Sequence, residues 1–584
     1  MSSDSSKASP VGGDSPAAAD TKNAKESFGG KTITFAGSFC LQLNNSMGPA
    51  MVLLPLMNQA AGWLTPTITL VLLFFLSTLA GTMLCEAMQR IPGNRNFNAE
   101  PRYEFATTVR HYYGKTAYCI FQIAYNISLQ ALNIAAMIVS AQTVDIFIYK
   151  MSHHGYALDY KTFTIANGCE DFMIKNVTNV EECFVQGNIF SHDQVISLGF
   201  IITMIMCIPL GYINLDANMW FQWFSLIGLL VFTCEFIVQF ILNAIPGTKW
   251  HQNGQTASGF DQTPLFDLRG QPQVLGLSVL AYAYIVTIPS WVNEKKQGVN
   301  VNKAIWYPAI AALIMKVSVG ITGSWGFHLF NAQNGTAIEG SDDILNFLLA
   351  PQMPWWTQYS AYLWDLTTLI PGIPVLSIMV RYNLQAGNVC GRKMAFFLGV
   401  VLPWIVTAFC YEYDALNTIC SWAGNVISGF VNFTVPAILY YSSHKRYAFL
   451  DGLKEKPKEV KPLQQENAEP SQSDTKPLLS LSASLPLLQA KEYTTVSASE
   501  TEITSENSLL NINEDYSLTS CPIEKELPFL NEDIEYLEPP VNAVPEWIPI
   551  DRKKLALFIA AIFTFLSVAY TVVQIYATVV GDQD

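Results

Sequence analysis

Eleven long apolar segments recur along the 584 residues of this chain, and they constrain its fold more than any other feature. A helix rises 1.5 Å per residue, so about 20 apolar residues cross the roughly 30 Å hydrocarbon core of a bilayer. The predicted spans are 33–60, 64–88, 116–148, 194–214, 219–244, 273–292, 303–327, 357–380, 394–412, 416–442 and 554–580. We therefore predict an all-α polytopic membrane protein.

The composition agrees with a membrane protein. Charged residues make up 14% of the chain, against roughly 25% in an average soluble domain, which excludes a soluble enzyme or a nucleic-acid-binding protein. Most of the net charge of −14 falls within residues 445–552. The chain has no CxxC or HExxH pattern and no phosphate loop, so we predict no metal, no cofactor and no ATP-driven pump.

The basic residues predict the orientation and the domains. All but six of the 33 Lys and Arg residues fall on the side of the N-terminal tail, which the positive-inside rule places in the cytosol. Tails and inserts without apolar periodicity are predicted to be disordered. The predicted parts are a disordered cytosolic tail (1–32), a ten-helix transporter core (33–442), an extracellular or luminal loop (150–193), a disordered cytosolic insert (445–552), and an eleventh helix with a short outside tail (553–584).

Short patterns in the loops predict modification and sorting. Cys169 and Cys183 share the outside loop, where we expect a disulfide, with two free thiols as the alternative. Asn176 and Asn334 lie in glycosylation sequons on the same side. The stretch Asp474–Leu479 fits an acidic dileucine pattern for adaptor proteins. A plasma membrane, endosomal, lysosomal or vacuolar location remains open.

The first span is interrupted at its centre. Gly48 and Pro49 follow two asparagines and are expected to open the helix near the middle of the bilayer. Unwound backbone is tolerated there only where it faces protein or a cavity, and its freed groups suit the carboxylate and ammonium of an amino acid. A proline kink with interhelical asparagine bonds is the alternative. The predicted substrate-binding residues here are Asn44, Asn45, Ser46, Met47 and Gly48.

The sixth span provides a counterpart. Small residues alternate with tyrosine at its centre, and Pro289 interrupts its cytosolic half. Two interrupted spans at positions one and six are typical of a five-plus-five inverted repeat that binds substrate at the midplane. The substrate-binding residues predicted here are Ala281, Tyr282, Ala283 and Tyr284. Asn126 in the third span shares a face with Gln130 and is predicted either to line the same path or to bond between helices.

Several motifs occur together in a fixed order: Gly48-x6-Pro55-x3-Gln59-Ala60-Ala61-Gly62-Trp63, Pro289 to Lys295, Gly323 to Phe327, Asp342 to Asn346, Pro374 before Arg381, and Gly424 to Pro436. This series resembles the amino acid/auxin permease family, the eukaryotic transmembrane amino acid transporters of the amino acid-polyamine-organocation superfamily. The resemblance covers residues 33–442 and the last span. It implies a LeuT-like fold with eleven spans and secondary transport of amino acids.

The resemblance also implies roles for single residues. Asn44, four positions before Gly48, matches the first-span Asn that takes part in substrate or ion binding in sodium-using members. Those members carry a threonine shortly before the proline that matches Pro374, whereas Thr367 and Thr368 lie further back here. H⁺ and Na⁺ both remain open as the coupling ion.

Charged residues within the spans are costly and often functional. Glu235 in the fifth span and Asp365 in the eighth are candidates to carry a coupling proton. A structural ion pair of either carboxylate with Lys316 in the seventh span is the alternative.

The sequence therefore predicts a secondary active transporter of L-amino acids that works by alternating access in a lipid bilayer. The alternative is a membrane amino acid sensor that signals through the 445–552 insert. An intramembrane enzyme is not expected, since the chain has no GxGD motif.

Overall fold

The computed structural model describes residues 28–152, 154–159, 164–167, 195–245, 263–268, 270–331, 336–337, 344–349, 353–409, 427–448, 540–544 and 551–581. The chain divides into two units. One contains Met1–Leu453 and Tyr536–Asp584, and the other is Lys454–Glu535, which lies outside the described residues.

Helices dominate the described part of the chain, and each predicted span contains helical residues. In chain order they are α1 Phe35–Ser46, α2 Leu54–Ala61, α3 Leu64–Gln89, α4 Phe105–Ser152, α5 Leu198–Leu210, α6 Met219–Ala244, α7 Gln271–Ala281, α8 Ile288–Glu294, α9 Val301–Gly326, α10 Ile344–Leu349, α11 Trp355–Trp364, α12 Ile370–Ala386, α13 Arg392–Phe396, α14 Leu402–Phe409, α15 Val435–Arg446 and α16 Arg552–Gly581.

Seven helical segments within the described residues are long and apolar enough to cross a membrane. They are α3, α4, α6, residues 273–294 (which include α8), α9, α11 with α12, and α13 with α14. The predicted all-α polytopic class is therefore confirmed, while the count of eleven spans stays a prediction.

Two small antiparallel sheets lie between the helices. The first has the order β2-β1-β3 and contains β1 Tyr156–Asp159, β2 Thr164–Asn167 and β3 Val195–Ser197, and the second pairs β4 Phe330–Asn331 with β5 Thr336–Ala337. Tyr156 pairs with Asn167, and Ala157 pairs with Ser197. Each strand has at most four residues, so the sheets do not change the fold class.

Polar side chains and one glycine set the limits of several helices. The hydroxyl of Thr34 accepts the backbone N–H of Gly37 at 3.2 Å and caps α1, and Asn300 caps α9 in the same way. Gly114 interrupts α4 with φ 80° and ψ −170°, a conformation that glycine adopts without a steric penalty. The span within α4 therefore begins after Gly114, close to the predicted start at 116.

Three helices widen into π-helical turns, at Asp365–Leu369, Phe397–Val401 and Phe430–Thr434. A proline stands two residues after each turn, at positions 371, 403 and 436. Proline has no N–H to offer the carbonyl four residues earlier, so the helix loses a hydrogen bond inside each turn. The sequence therefore explains why the helices widen at these three places.

The packing has the internal symmetry of the predicted inverted repeat. The second and seventh segments (α3 and α9) pack together, as do the third and eighth (α4 and α12). The first segment contacts the fifth through α1 and α6. The sixth segment contacts the tenth through the turns Ala283–Thr287 and Phe430–Thr434. This arrangement, with interrupted first and sixth segments, agrees with the predicted LeuT-like fold.

Several predicted features can now be placed. We call the end of the bundle that carries Phe28 the N-face. Residues 28–32, at the end of the predicted tail, lie against it, with the Gly29 N–H bonded to Glu294. The remaining predictions concern positions outside the described residues: the 1–27 part of the tail, Cys169, Cys183, Asn176, Asn334, Asp474–Leu479 and most of the predicted 445–552 insert. Of that insert the structure describes residues 445–448, 540–544 and 551–552.

Candidate functional site

The first segment is broken at the predicted position. Helix α1 ends at Ser46, Met47 leaves the helical conformation, and Gly48 is extended with φ −81° and ψ −165°. Pro49 then begins a short 3-10 turn, Pro49–Leu53, which leads into α2. Because proline has no N–H and fixes φ, it starts a new helical turn well but cannot continue the old one.

The break is open on one side. Asn45 and Gly48 are half-exposed, although the neighbouring positions are buried. A Cβ atom placed on Gly48 would have no heavy atom within 4 Å apart from those of Gly48 and its two chain neighbours. Protein interiors are normally close-packed, so the space beside Gly48 indicates a cavity or path along the broken backbone.

The sixth segment is broken in the same manner. Helix α7 ends at Ala281, and Tyr282 adopts φ −114° and ψ 18°. A 3-10 turn, Ala283–Thr287, follows, and α8 begins at Ile288. Helix ends leave backbone groups without intrahelical partners, so both segments present such groups in the middle of the bundle.

The two breaks meet directly. The side-chain amide of Asn45 donates to the hydroxyl of Thr287 at 3.2 Å, and that hydroxyl donates to the carbonyl of Tyr284 at 2.6 Å. The half-exposed side of the first break therefore lies beside the 3-10 turn of the second.

Polar side chains from other segments support the breaks. The amide oxygen of Asn432 accepts the N–H of Val286 at 3.1 Å, and the hydroxyl of Tyr125 donates to the carbonyl of Val286 at 3.3 Å. On the first segment, the side-chain amide of Asn44 donates to the backbone and side-chain oxygens of Gln222 at 2.9 and 3.0 Å. The first and sixth segments are thus fixed by the fifth and tenth, as their repeat relationship requires.

Lys316 places its side-chain amino group at the second break. Its ammonium donates to the carbonyl of Ala281, the last residue of α7, and lies 3.9 Å from the centre of the Tyr282 ring. The side chain is 1% exposed. A helix C-terminus carries partial negative charge, and an aromatic face attracts a cation, so both contacts stabilise the charged form. No ion pair of Lys316 with Glu235 or Asp365 occurs among the described residues.

Of the predicted ion-coupling residues, Asp365, Thr367 and Thr368 share one π-helical turn, whereas Glu235 and Asn44 lie on other segments. Glu235 accepts the hydroxyl of Thr357 at 2.7 Å, and Asp365 accepts the hydroxyl of Ser140 at 3.0 Å. Thr367 donates to the carbonyl of Leu363 in its own helix. The first contact joins the fifth and eighth segments, the second joins the third and eighth, and the third lies within the eighth.

The two remaining candidates have different surroundings. Thr368 is buried, and Asn44 points to the fifth segment. Among the residues that the structure describes, no group of three His, Cys, Asp or Glu could hold a metal.

The N-face is closed by a network around Glu294, at the end of α8. One carboxylate oxygen of Glu294 accepts the N–H of Gly29 at 3.1 Å and a guanidinium N–H of Arg102 at 3.2 Å. The other accepts the N–H of Asp216 at 3.1 Å. Arg102 also donates to Glu104 at 2.7 Å. Burial lowers the pKa of Arg102, but the two carboxylates outweigh it, so the pKa is raised and the guanidinium stays charged.

Aromatic rings and a strand-like pair complete this closure. The guanidinium of Arg102 lies 4.8 Å from the ring centre of Phe28 and 4.9 Å from that of Tyr382. The backbone of Ile33 donates to the carbonyl of Glu294 at 3.2 Å and accepts the N–H of Lys296 at 2.7 Å. The first and sixth segments are therefore joined at the N-face as well as at their breaks.

The family of the chain follows from a comparison of its sequence with family models. Residues 31–338 match the model described as transmembrane amino acid transporter protein. The chain belongs to this family. As a family member it is an amino acid transporter protein of the membrane, and its family is one of transporters rather than enzymes.

Two further comparisons complete the findings. The crystal structure of MhsT in complex with L-phenylalanine aligns with 10% identity and a TM-score of 0.46, over 69% of this transporter chain and 88% of that chain. A comparison with curated protein sequences finds no match.

The predicted substrate-binding residues of the first and sixth segments lie at the two breaks, and they differ in their exposure. Of the predicted residues, Asn45 and Gly48 border the open space, whereas Ser46 and Met47 are buried. In the sixth segment the residues Ala281, Tyr282, Ala283 and Tyr284 are buried too. Asn126 is half-exposed and donates to the carbonyl of Gln122 in its own helix.

Three supporting residues were not predicted for the site: Thr287, Asn432 and Gln222. A polar residue within an apolar span is the signal that could have found them. Their partners depend on which helices pack together, and the chain order does not give that.

Proposed function

We propose that this chain moves L-amino acids across a membrane by alternating access, driven by a gradient of H⁺ or Na⁺. The observation that carries the proposal is the open space beside Gly48 and Asn45, at the point where two broken helices meet. Backbone groups at helix ends can bind the carboxylate and ammonium that all amino acids share. The family of the chain supports amino acids as the substrate class.

The closed N-face fits one state of an alternating cycle. In this state the network of Arg102 and Glu294 blocks the path on the side predicted to be cytosolic. Substrate would enter from the opposite side, and the network would have to open for release. Alternating access requires that each ligand binds one state better than the other.

The substitution Gly48→Leu tests the proposed site. Gly48 has φ −81°, which any residue adopts, and open space beside it. A leucine should therefore fold without strain and fill the space that the substrate needs. We expect uptake of labelled amino acids into proteoliposomes to fall to background, with expression and thermal stability near those of the parent.

Gly391→Leu is a matched control. Gly391 is also extended, with φ −68° and ψ 164°, and a Cβ there would also meet no atom within 4 Å, but it lies in an exposed loop. We expect normal uptake for this variant. If Gly48→Leu transports as well as Gly391→Leu does, the space beside Gly48 is not the binding site.

The coupling ion requires a separate measurement. A labelled amino-acid panel, with sodium and pH gradients imposed one at a time, identifies both the substrate and the driving ion. Acceleration by an inward proton gradient alone would favour a carboxylate such as Glu235 or Asp365 as the proton carrier. A sodium requirement would instead favour Asn44, Thr367 and Thr368.

A sensor that signals through the insert is the second candidate, and the separate unit Lys454–Glu535 offers the discriminating deletion. Uptake by the deleted chain should persist if the insert serves only trafficking through Asp474–Leu479. A signalling output that disappears while uptake persists would identify a sensor.

A further inference from the structure

The end of the long insert lies in a slot at the N-face. Residues 540–544 belong to the same unit as the helical core. The side chains of Val541, Ala543 and Val544 are only 3%, 1% and 1% exposed, whereas Asn542 between them is half-exposed. This short segment is therefore seated on the core with three of its side chains turned inward.

Side chains of the core form hydrogen bonds with the backbone of this segment. The N–H of Val541 donates to the amide oxygen of Gln89 at 2.7 Å, and the N–H of Ala543 donates to the carboxylate of Glu86 at 2.8 Å. The side-chain amide of Asn302 donates to the carbonyl of Asn542 at 3.0 Å. Backbone hydrogen bonds that provide affinity and buried side chains that provide specificity are usual features of peptide recognition.

The slot is held in shape by bonds that do not involve the segment. The Glu86 carboxylate also contacts Arg90 at 3.1 Å and His444 at 3.2 Å, and Gln89 donates to the carbonyl of Arg95 at 3.1 Å. Glu86 and Gln89 lie at the end of α3, while Asn302 lies at the start of α9. The slot therefore joins the second and seventh segments of the core.

We propose that the N-face ends of α3 and α9 form a peptide-binding slot, that residues 540–544 occupy it in cis, and that its occupancy slows amino-acid uptake. The last part rests on the proposed function. Its physical basis is that the three hydrogen bonds are formed in the state with a closed N-face. Glu86, which accepts the N–H of Ala543, also contacts His444 of α15, so docking stabilises the state in which the ends of α3 and α15 lie together.

Thiol reactivity tests the docking. Val544→Cys places a thiol at the buried position, and Asn542→Cys places one at the half-exposed position two residues earlier. Each variant is treated with a maleimide in nanodiscs, and labelling of its peptide is followed by mass spectrometry. We expect Val544→Cys to react at least tenfold more slowly than Asn542→Cys. Equal rates in the otherwise unchanged chain would overturn the slot.

A second experiment uses variants that weaken the docking of the segment. Ala543→Pro removes the N–H that Glu86 accepts, and Gln89→Ala removes the acceptor of Val541. A hydrogen bond contributes about 1 kcal/mol, so each change should speed labelling of Val544→Cys about fivefold. An unchanged thermal transition shows that the core is still folded. Labelling that stays slow in both variants would also overturn the slot.

Uptake measured in the same variants tests the effect of docking on transport separately from the docking itself. We expect Ala543→Pro to raise the initial rate about twofold or more, and the control Asn542→Ala to leave it unchanged. Faster labelling with unchanged uptake would refute the regulatory role and leave the slot in place. Absence of uptake in every variant and in the parent would refute the proposed transport function instead, because the labelling experiment does not depend on transport.

Discussion

Arg102 contacts both buried carboxylates of the closed N-face, so Arg102→Ala is the most informative perturbation. Arg102 bonds to two carboxylates that are themselves 0% exposed, while its own side chain is 13% exposed. Removal of one partner from a buried charge pair costs about 3–5 kcal/mol, because the remaining charge is left without compensation. Since Arg102 is partly exposed, we take the lower limit, about 3 kcal/mol.

That cost applies to the state with a closed N-face. An open state exposes Glu104 and Glu294 to water and avoids the cost. A change of about 3 kcal/mol shifts the ratio of the two states roughly 150-fold, at 1.36 kcal/mol for each factor of ten. Arg102→Lys keeps the charge but loses the planar fork that reaches both carboxylates, so it should give a smaller shift in the same direction.

Amide hydrogen exchange of residues 28–33 measures this shift without any assumption about transport. The amides of Gly29, Gly30 and Ile33 all donate to acceptors of the N-face network, at 3.1, 3.1 and 3.2 Å. We expect their exchange in nanodiscs to accelerate strongly in Arg102→Ala. Exposed Arg110 on α4 is the matched control, and Arg110→Ala should leave the exchange unchanged.

One result would refute this reasoning: a folded Arg102→Ala chain whose N-terminal amides exchange as slowly as those of the parent. The N-face would then be held by packing rather than by the buried charges. A variant that fails to fold is recognised by the loss of its thermal transition. In that case the exchange is measured in Arg102→Lys instead.

Further predictions concern the two breaks and the bend in α4. Lys316→Met should lower uptake at least tenfold while leaving thermal stability unchanged or higher, because apolar replacement of a buried charge often stabilises; normal uptake would exclude a role for its contact with Ala281. Asn45→Ala removes the bond to Thr287, worth about 1 kcal/mol, so substrate affinity measured by competition should fall about fivefold, and an unchanged affinity would contradict the meeting of the breaks. Gly114→Ala should destabilise the chain by about 1–3 kcal/mol in a thermal melt, since φ 80° with ψ −170° strongly favours glycine; an unaltered melting temperature would count against that conformation.

The sequence was sufficient for features that depend on neighbouring residues in the chain. Apolar length predicted the membrane helices, because the bilayer thickness sets that length directly. The break at Gly48 followed from a glycine and a proline next to each other, and it lies at the predicted place. The π-helical turns carry an equally local signal in the prolines at 371, 403 and 436.

Features that depend on contacts between distant segments could not be predicted in this way. Asn44 and Asn45 are adjacent, yet one bonds to Gln222 and the other to Thr287. Their helix positions differ by about 100°, so neighbouring asparagines face different segments. Only the packing of the helices decides which of the two borders the open space.

The sequence by itself determined a polytopic helical membrane protein with two interrupted segments, because apolar length, glycine and proline act on the chain locally. The tertiary structure alone decided the partner of each polar group: Lys316 with the carbonyl of Ala281, Arg102 with Glu294, and residues 540–544 with the ends of α3 and α9. Such contacts join residues up to several hundred positions apart. They depend on how the helices pack, and no short stretch of sequence records that.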